Sequence, residues 1–338
     1  MKVFSISVCM LLFFSPALFG QVAISNGNST PDNSAMLDVK STSKGLLVPR
    51  MTQNQILSIN APANGLLVFC TTDDKFYAYI AGAGVWKEIL FGSGTIAPDY
   101  FRSGIFLHHS TGSNIWGPNG SSTSVPLEMS AYNTAHGYSD ARAVTMNEEW
   151  WSPGDNEWAT QHEFFEDPDP VSGIGYYLPD NKIIVIKSCF PSSAMTGSGQ
   201  PSDTLSPWLK TIYNYKWHWR HIIKAMSAHP DNFFVIWTNA PLEPYSTNTT
   251  EALLSKQFCA WAKDTLAAGL DAVYGAFPPN VYVFDFFHKL TGTNGMMLAM
   301  YAVAPYDSHP NSSATQLVAP QFVQEIFNAS VAYEATAP

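Results

Sequence analysis

GIFLHHSTGSNIW (residues 104–116) begins with an apolar run, residues 104–109, that predicts a buried β-strand. Helical stretches at residues 208–226 and 251–268 separate further apolar runs of the same kind, at residues 182–189, 233–239 and 281–287. Near-continuous apolar strands that alternate with helices are typical of a parallel sheet covered on both faces. We therefore predict an α/β domain over residues 99–338.

The ends of the predicted helices carry local signals. Asn248 precedes Glu251 by three residues and predicts an N-terminal cap, and Gly269 is expected just past the end of the same helix. A last helix is predicted over residues 321–333, with Pro320 in its first turn. This helix completes the predicted α/β domain.

The start of the chain predicts export. Lys2 is followed by an apolar stretch, residues 3–19, and then by Gly20. One basic residue, a short apolar core and small residues near its end are typical of a secretory signal peptide, here residues 1–20. A membrane anchor is the alternative, but serines and Pro16 interrupt the run, and it is short for a bilayer span. We predict a secreted protein (periplasmic, cell-surface or extracellular) without a transmembrane segment.

The composition excludes some partners and leaves one question about cysteines open. The 17 Lys and Arg residues stand against 27 Asp and Glu residues, a net charge of -10. Nucleic acids and anionic membranes need clustered basic surface, so neither is expected as a partner. Cys9 lies in the predicted signal peptide, which leaves three cysteines, and an odd number rules out a complete disulfide framework. Either Cys189 and Cys259 form a disulfide, or they and Cys70 are buried thiols.

Residues 22–92 predict a small β-rich module. Residues 65–70 and 76–80 flank a turn and predict a β-hairpin, and residues 92–95 (GSGT) predict a linker. NSAMLDVKSTSKGLLVPRMT (33–52) and GLLVFCTTDDKFYAYIAGAGVWKEI (65–89) resemble a tail-fibre-like module that is common at the N-termini of secreted and surface proteins of Bacteroidota. The resemblance implies an adaptor or an oligomerisation element, so the chain is expected to form a homo-oligomer through this module.

Candidate catalytic residues lie just after the first predicted strand and just before the last predicted helix. In parallel sheets, sites lie outside the carboxyl ends of the strands. Ser110 stands where the first strand meets a Gly-containing loop, so its hydroxyl can be exposed above the sheet edge. His309 is a candidate general base, and Asp307 a candidate partner that orients its imidazole. Taken singly, each residue also fits a turn or a helix cap.

From residue 100 to 335 the chain resembles the SGNH (GDSL-like) hydrolase superfamily. The resemblance lies in the strand order, in the serine after the first strand and in the aspartate and histidine before the last helix. The resemblance implies a flavodoxin-like three-layer α/β/α sheet and a triad of Ser110, His309 and Asp307. The sequence departs from the family pattern in three places. His108-His109-Ser110 replaces Gly-Asp-Ser, Asp307-x-His309 replaces the usual Asp-x-x-His, and no Gly-x-Asn-Asp block is present.

The same resemblance implies donors for an oxyanion. The backbone N–H of Ser110 is one, and Gly137 fits the second block of the family. If residues 182–189 are the third strand, Ser188 or a nearby backbone N–H takes the place of the missing asparagine. If residues 233–239 are the third strand, Asn239 supplies the donor. Topology favours Ser188, and side-chain identity favours Asn239.

Two other features have competing interpretations. His108 and His109, with His136 or His162, suggest a metal site, but adjacent strand residues point to opposite faces of a sheet. No metal-binding spacing is visible either, so no metal or cofactor is predicted. The aromatic-rich residues 147–170 form either a substrate wall or a plug packed on the sheet.

We therefore predict a secreted serine esterase or acylhydrolase that cleaves carboxylic esters through Ser110, His309 and Asp307 and an acyl-enzyme. The extracellular location and the tryptophans favour a small-molecule or glycan ester as substrate. The alternative is a non-catalytic surface protein that binds glycans on a degenerate SGNH scaffold. A distance within about 3.5 Å between the Ser110 hydroxyl and a His309 ring nitrogen would favour the enzyme.

Overall fold

The computed structural model describes residues 21–25, 27, 29–89, 100–151, 157–167, 169 and 172–336. The chain divides into two compact units, Met1–Thr95 and Ile96–Pro338. The predicted signal peptide and the predicted linker lie outside the described residues. Among the described helices, none has the length and apolar character needed to cross a membrane.

The first unit is built from short strands. β1 (Val22–Ser25) pairs in parallel with β2 (Leu37–Lys40). A second sheet, in the order β3-β4-β5-β6, contains the predicted hairpin and one short helix, α1. Its elements are β3 (Arg50–Met51), α1 (Gln53–Leu57), β4 (Leu67–Cys70), β5 (Lys75–Ile80) and β6 (Val85–Glu88).

The second unit contains a five-stranded parallel sheet in the order β11-β10-β9-β7-β8. Numbered within the sheet this is the flavodoxin-like order 2-1-3-4-5, so the predicted fold class is confirmed. The strand at residues 182–189 is the third, as the topology argument required. The strands are β7 (Ser103–His108), β8 (Thr145–Trp150), β9 (Ile183–Ile186), β10 (Phe233–Trp237) and β11 (Val281–Phe284).

Helices cover both faces of this sheet because its inner strands are apolar on both sides. In β9, Ile183 and Val185 belong to one buried cluster, and Ile184 and Ile186 belong to the other. The first cluster includes side chains of α2 (Ser110–Trp116), α3 (Val125–His136) and α8 (Ser312–Glu334). The second includes side chains of α4 (Trp158–Glu166), α5 (Ile212–Ser227) and α6 (Thr249–Trp261). Two further elements near the site are α7 (Phe286–Leu290) and an antiparallel ribbon of β12 (Ala302–Ala304) and β13 (Asp307–Pro310).

Two elements differ from the sequence predictions. β8 was not predicted, and four of its residues, 147–150, were assigned to the aromatic-rich segment 147–170. Its sequence is mostly polar because it is an edge strand, paired with β7 alone. The last helix begins at Ser312 rather than near residue 321, because the Asn311 side chain accepts the N–H groups of Ser313 and Ala314. Pro320 therefore lies inside α8.

The described cysteines and one buried ion pair complete the packing. Cys70, Cys189 and Cys259 are buried free thiols, so the disulfide alternative is not adopted. Arg102, just before β7, donates to both carboxylate oxygens of Glu334 at 2.8 and 2.9 Å. This bidentate pair ties the start of the first sheet strand to the end of α8.

Candidate active site

Ser110 follows β7 directly and is the first residue of α2. β7 lies between β8 and β9, at the point where the strand order reverses. Ligands of doubly wound sheets bind at this point, outside the carboxyl ends of the strands. Ser110 therefore occupies the position in the fold where a reactive side chain is most accessible to a ligand.

The structure brings the three predicted triad residues into one hydrogen-bonded chain. The Ser110 Oγ lies 2.8 Å from Nε2 of His309, and Nδ1 of His309 lies 2.5 Å from Oδ1 of Asp307. The same Asp307 oxygen accepts the backbone N–H of His309 at 3.0 Å. Because a carboxylate only accepts, the ring carries its proton on Nδ1, and Nε2 presents a lone pair to the serine hydroxyl. This is the arrangement of a nucleophile, a base and an orienting group.

The position of His309 is fixed from both sides of the ribbon. Asn114 of α2 and Asn119 both donate to the Pro310 carbonyl, each at 3.0 Å. The Ser308 hydroxyl accepts the backbone N–H of Glu243 at 3.0 Å. The helix that carries Ser110 therefore also holds the strand that carries His309.

The electrostatics favour an ionised carboxylate beside the imidazole. The backbone N–H of His309 is the largest of the causes that hold the pKa of Asp307 below its usual range. The side chain of Asp307 is 41% exposed and that of His309 is 31% exposed. The pair is thus open to solvent, unlike a triad whose aspartate is buried.

A cluster that the sequence analysis missed lies beneath the serine. Lys187, just past β9, is fully buried, and its Nζ donates to the Thr111 hydroxyl. The Cys189 Sγ lies 3.9 Å from both Ser110 Oγ and Thr111 Oγ1. Burial lowers the pKa of Lys187 to about 8. A lysine in an otherwise apolar strand was the sequence signal for this cluster.

The residues before the serine form a second polar contact. His108 is buried; its Nδ1 lies 2.9 Å from the His109 carbonyl, and its Nε2 lies 2.8 Å from a Glu148 carboxylate oxygen. Burial lowers the pKa of His108 to about 4 and raises the pKa of Glu148. Each ring nitrogen lies within hydrogen-bond distance of an oxygen atom of the protein. His108 is thus held by contacts within the protein, beneath the turn that carries Ser110.

Two of the oxyanion donors predicted from the family resemblance, Gly137 and Asn239, are engaged elsewhere. Gly137 ends α3, whose Asn133 side chain binds Val144 just before β8, so Gly137 lies near the amino ends of the strands. The Asn239 amide donates to the Ser192 carbonyl and accepts from the Trp158 indole. Both residues have structural roles.

Ser188 is also displaced from the predicted role. Its hydroxyl is fully buried, with no hydrogen-bond partner among the described residues, whereas the neighbouring Cys189 contacts Ser110. Successive residues of an extended chain point to opposite sides, so Ser188 faces away when Cys189 faces the serine. The backbone N–H of Ser110, at the start of α2, is the predicted donor that stays beside the nucleophile.

The tryptophans of residues 147–170 divide between packing and exposure. Trp151 and Trp158 are buried in the core. Trp150 is 58% exposed and stacks on the His109 ring, with centroids 5.2 Å apart and planes 8° from parallel. The plug interpretation fits the first two, and the wall interpretation fits Trp150.

Comparisons with known proteins bear mainly on the first unit. Residues 25–99 match the family model of the phage tail-like trimerisation region. Among solved structures, the chain is similar to the crystal structure of a "putative acylhydrolase" from Bacteroides fragilis, with 12% identity and a TM-score of 0.39, over 68% of this chain and 88% of that one. A search of curated proteins found no match. The likeness to the acylhydrolase is too distant to bear on function, and the fold rests on the sheet order given above.

Proposed function

We propose that the chain is a serine esterase or acylhydrolase that acts on carboxylic esters. The observation that carries the proposal is the hydrogen-bonded chain from Ser110 through His309 to Asp307. If Ser110 were only a turn residue, it would not need an imidazole lone pair 2.8 Å from its hydroxyl. If the segment with Asp307 and His309 served only to cap a helix, it would not need a contact with a serine. The distance lies within the limit that favours an enzyme over a binding protein.

The mechanism follows from the geometry. His309 Nε2 removes the hydroxyl proton as Ser110 Oγ attacks the ester carbonyl, and Asp307 stabilises the imidazolium that forms. The Ser110 N–H, at the start of α2, serves as a donor to the developing oxyanion, and the buried ammonium of Lys187 adds positive potential. His309 then protonates the leaving alcohol. The acyl-enzyme is hydrolysed by water, again with His309 as base.

The surface around the serine suggests the substrate class. Trp150 offers an exposed aromatic face, and its stacking partner His109 directly precedes Ser110. Flat aromatic faces bind the apolar faces of sugar rings and acyl groups. We therefore propose an acylated glycan as substrate, encountered outside the cell after removal of residues 1–20.

The test uses labelling and turnover together. A fluorophosphonate probe should modify Ser110 of the mature protein, and p-nitrophenyl acetate should be hydrolysed. Ser110→Ala should lose both signals. Ser113→Ala, three residues further along the same helix, is the matched control and should keep both. If the wild type shows neither labelling nor turnover, the glycan-binding alternative replaces the proposal.

We also propose that the first unit joins three chains, a role that the family match at residues 25–99 supports. Light scattering of the full mature protein should give three times the chain mass. A monomer at the same concentration would contradict this role and leave the esterase proposal untouched.

A further inference from the structure

A second group of side chains, each with an atom that can bind a metal ion, lies on the opposite face of the sheet from α2. His162 and Glu166 stand one turn apart on α4, and His221 stands on α5, which packs against α4. One ligand atom from each residue lies within 4.8 Å of the others. His162 is buried, His221 is half-buried and Glu166 is exposed, so the group forms a shallow site open to solvent.

Hydrogen bonds determine where the protons are in this group. His218 Nε2 lies 2.8 Å from the Pro207 carbonyl, which can only accept, so this nitrogen carries the proton. His218 is buried and therefore uncharged, which leaves its Nδ1 as an acceptor. His162 Nδ1 lies 2.9 Å from that atom and must donate to it. The remaining ring nitrogen of His162, Nε2, is then a bare lone pair.

That lone pair faces further electron pairs rather than a donor. His162 Nε2 is buried without a hydrogen-bond partner of acceptable geometry, although a Glu166 oxygen lies 2.8 Å away. His221 donates its Nδ1 proton to the Trp217 carbonyl at 2.9 Å, so in the neutral ring its Nε2 is a lone pair. With both rings neutral, two imidazole lone pairs and a carboxylate converge on one point. Arg220, beside His221, does not neutralise them because its guanidinium binds Asp271 at 2.8 and 3.0 Å.

We propose that His162, Glu166 and His221 bind one divalent transition-metal ion, with Zn²⁺ as the best match. Two imidazoles and one carboxylate are a common zinc donor set, and a water molecule completes the tetrahedron. Bonds of about 2.0 Å place neighbouring ligand atoms about 3.3 Å apart, which small rotations of the exposed Glu166 and half-buried His221 side chains achieve. The His218 contact acts as the outer partner that fixes the orientation of a ligating histidine.

The ion joins α4 and α5, which pack against each other. Its ligands on α4 and on α5 are 55 or more positions apart in the sequence, so binding fixes α4 against the α5 surface. The site lies across the sheet from the helix that carries Ser110, and its role is structural. The spacing of these residues in the sequence did not predict the site, because the ligands come together only when α4 packs on α5.

The test is zinc binding to metal-free, untagged full mature protein. Calorimetric titration with ZnCl₂ should show one site per chain, and zinc should raise the melting temperature. His221→Ala and Glu166→Gln alter accessible ligands and should weaken affinity by at least about 100-fold and about tenfold, because changing only the outer partner of a ligand already costs about 10–100-fold. His229→Ala, a half-buried histidine outside the cluster, is the matched control and should bind as the wild type does.

A second measurement identifies the ligands. Co²⁺ in place of Zn²⁺ should give the intense visible absorption of a tetrahedral site in the wild type and in His229→Ala, and not in His221→Ala. Saturable zinc binding that His221→Ala leaves unchanged would overturn the proposal. The absence of saturable binding to the folded wild type would overturn it as well.

Discussion

Replacing Asp307 with asparagine separates the charge of this residue from its role in orienting His309. One atom, Oδ1 of Asp307, accepts both the ring Nδ1–H and the backbone N–H of His309. An asparagine oxygen in the same place accepts the same two bonds, because a reversed amide would direct its NH₂ at the backbone N–H. We therefore expect His309 to keep its tautomer in Asp307→Asn, so that only the negative charge is lost.

The size of the effect follows from the exposure of the pair. Asp307 is 41% exposed, so its attraction to the imidazolium is partly screened. With charge centres about 4 Å apart, this attraction is about 1 kcal/mol in water and about 4 kcal/mol at an effective dielectric constant of about 20. Since about 1.4 kcal/mol corresponds to a tenfold change in rate, kcat should fall by about fivefold to about 1000-fold. Where an asparagine forces the wrong tautomer, the loss is about 10⁴-fold.

The assay is p-nitrophenyl acetate hydrolysis by the wild type, Asp307→Asn, Asp307→Ala and Ser110→Ala. Asp307→Ala should be slower than Asp307→Asn because it also removes the acceptor for the backbone N–H, and KM should stay near the wild-type value in both. The pKa of Asp307 lies below its usual range, so Asp307 stays ionised as the pH falls through that range. Protonation of Asp307 therefore does not cause the decline of kcat at acid pH, and this decline should persist in Asp307→Asn. Wild-type kcat in Asp307→Asn, or a value as low as that of Ser110→Ala, would refute the reasoning.

Three further predictions concern other parts of the molecule. Lys187→Met should lower kcat several-fold and abolish the decline of activity above about pH 8, where the wild-type ammonium loses its proton. The melting temperature should stay the same or rise, because the substitution removes a buried charge that has no carboxylate partner among the described contacts. Gly112→Ala should reduce both activity and stability, by about 1–3 kcal/mol in denaturant titration, because its Cβ would lie 2.4 Å from the Cβ of His108. Gly197→Ala is the control, since its Cβ would come no closer than 4.0 Å to any neighbour. The melting temperature of the full mature protein should rise with protein concentration if residues 25–99 hold a trimer, and a constant value would count against that assembly.

Four of the five sheet strands could be predicted from the sequence because they are apolar on both faces. β8 could not, since an edge strand with one neighbour tolerates the polar pattern TMNEEW. Pro320 misled the prediction of the last helix. The buried face of α8, including Phe322 and Ile326, and the Asn311 cap outweigh the hydrogen bond that a proline inside a helix lacks.

The proximity of Ser110 and His309 was predictable because the ends of parallel strands share one edge of the sheet. The surroundings of the serine were harder to predict. Which of Lys187, Ser188 and Cys189 faces Ser110 depends on where β9 ends, and a shift of one residue reverses the answer. Asn239 has the right chemistry for an oxyanion donor, yet the packing of Trp158 uses its side chain elsewhere.

The two hydrogen bonds from asparagine side chains to the Pro310 carbonyl have a consequence for the synthesis of the protein. Ser110 and its helix leave the ribosome about 200 residues before His309, so the proposed nucleophile is made long before its proposed base. Until β13 is complete and Asn114 and Asn119 have bound Pro310, the serine has no activating partner in place. By the proposed mechanism, the growing chain therefore carries an unactivated hydroxyl until the carboxyl-terminal segment has folded onto α2.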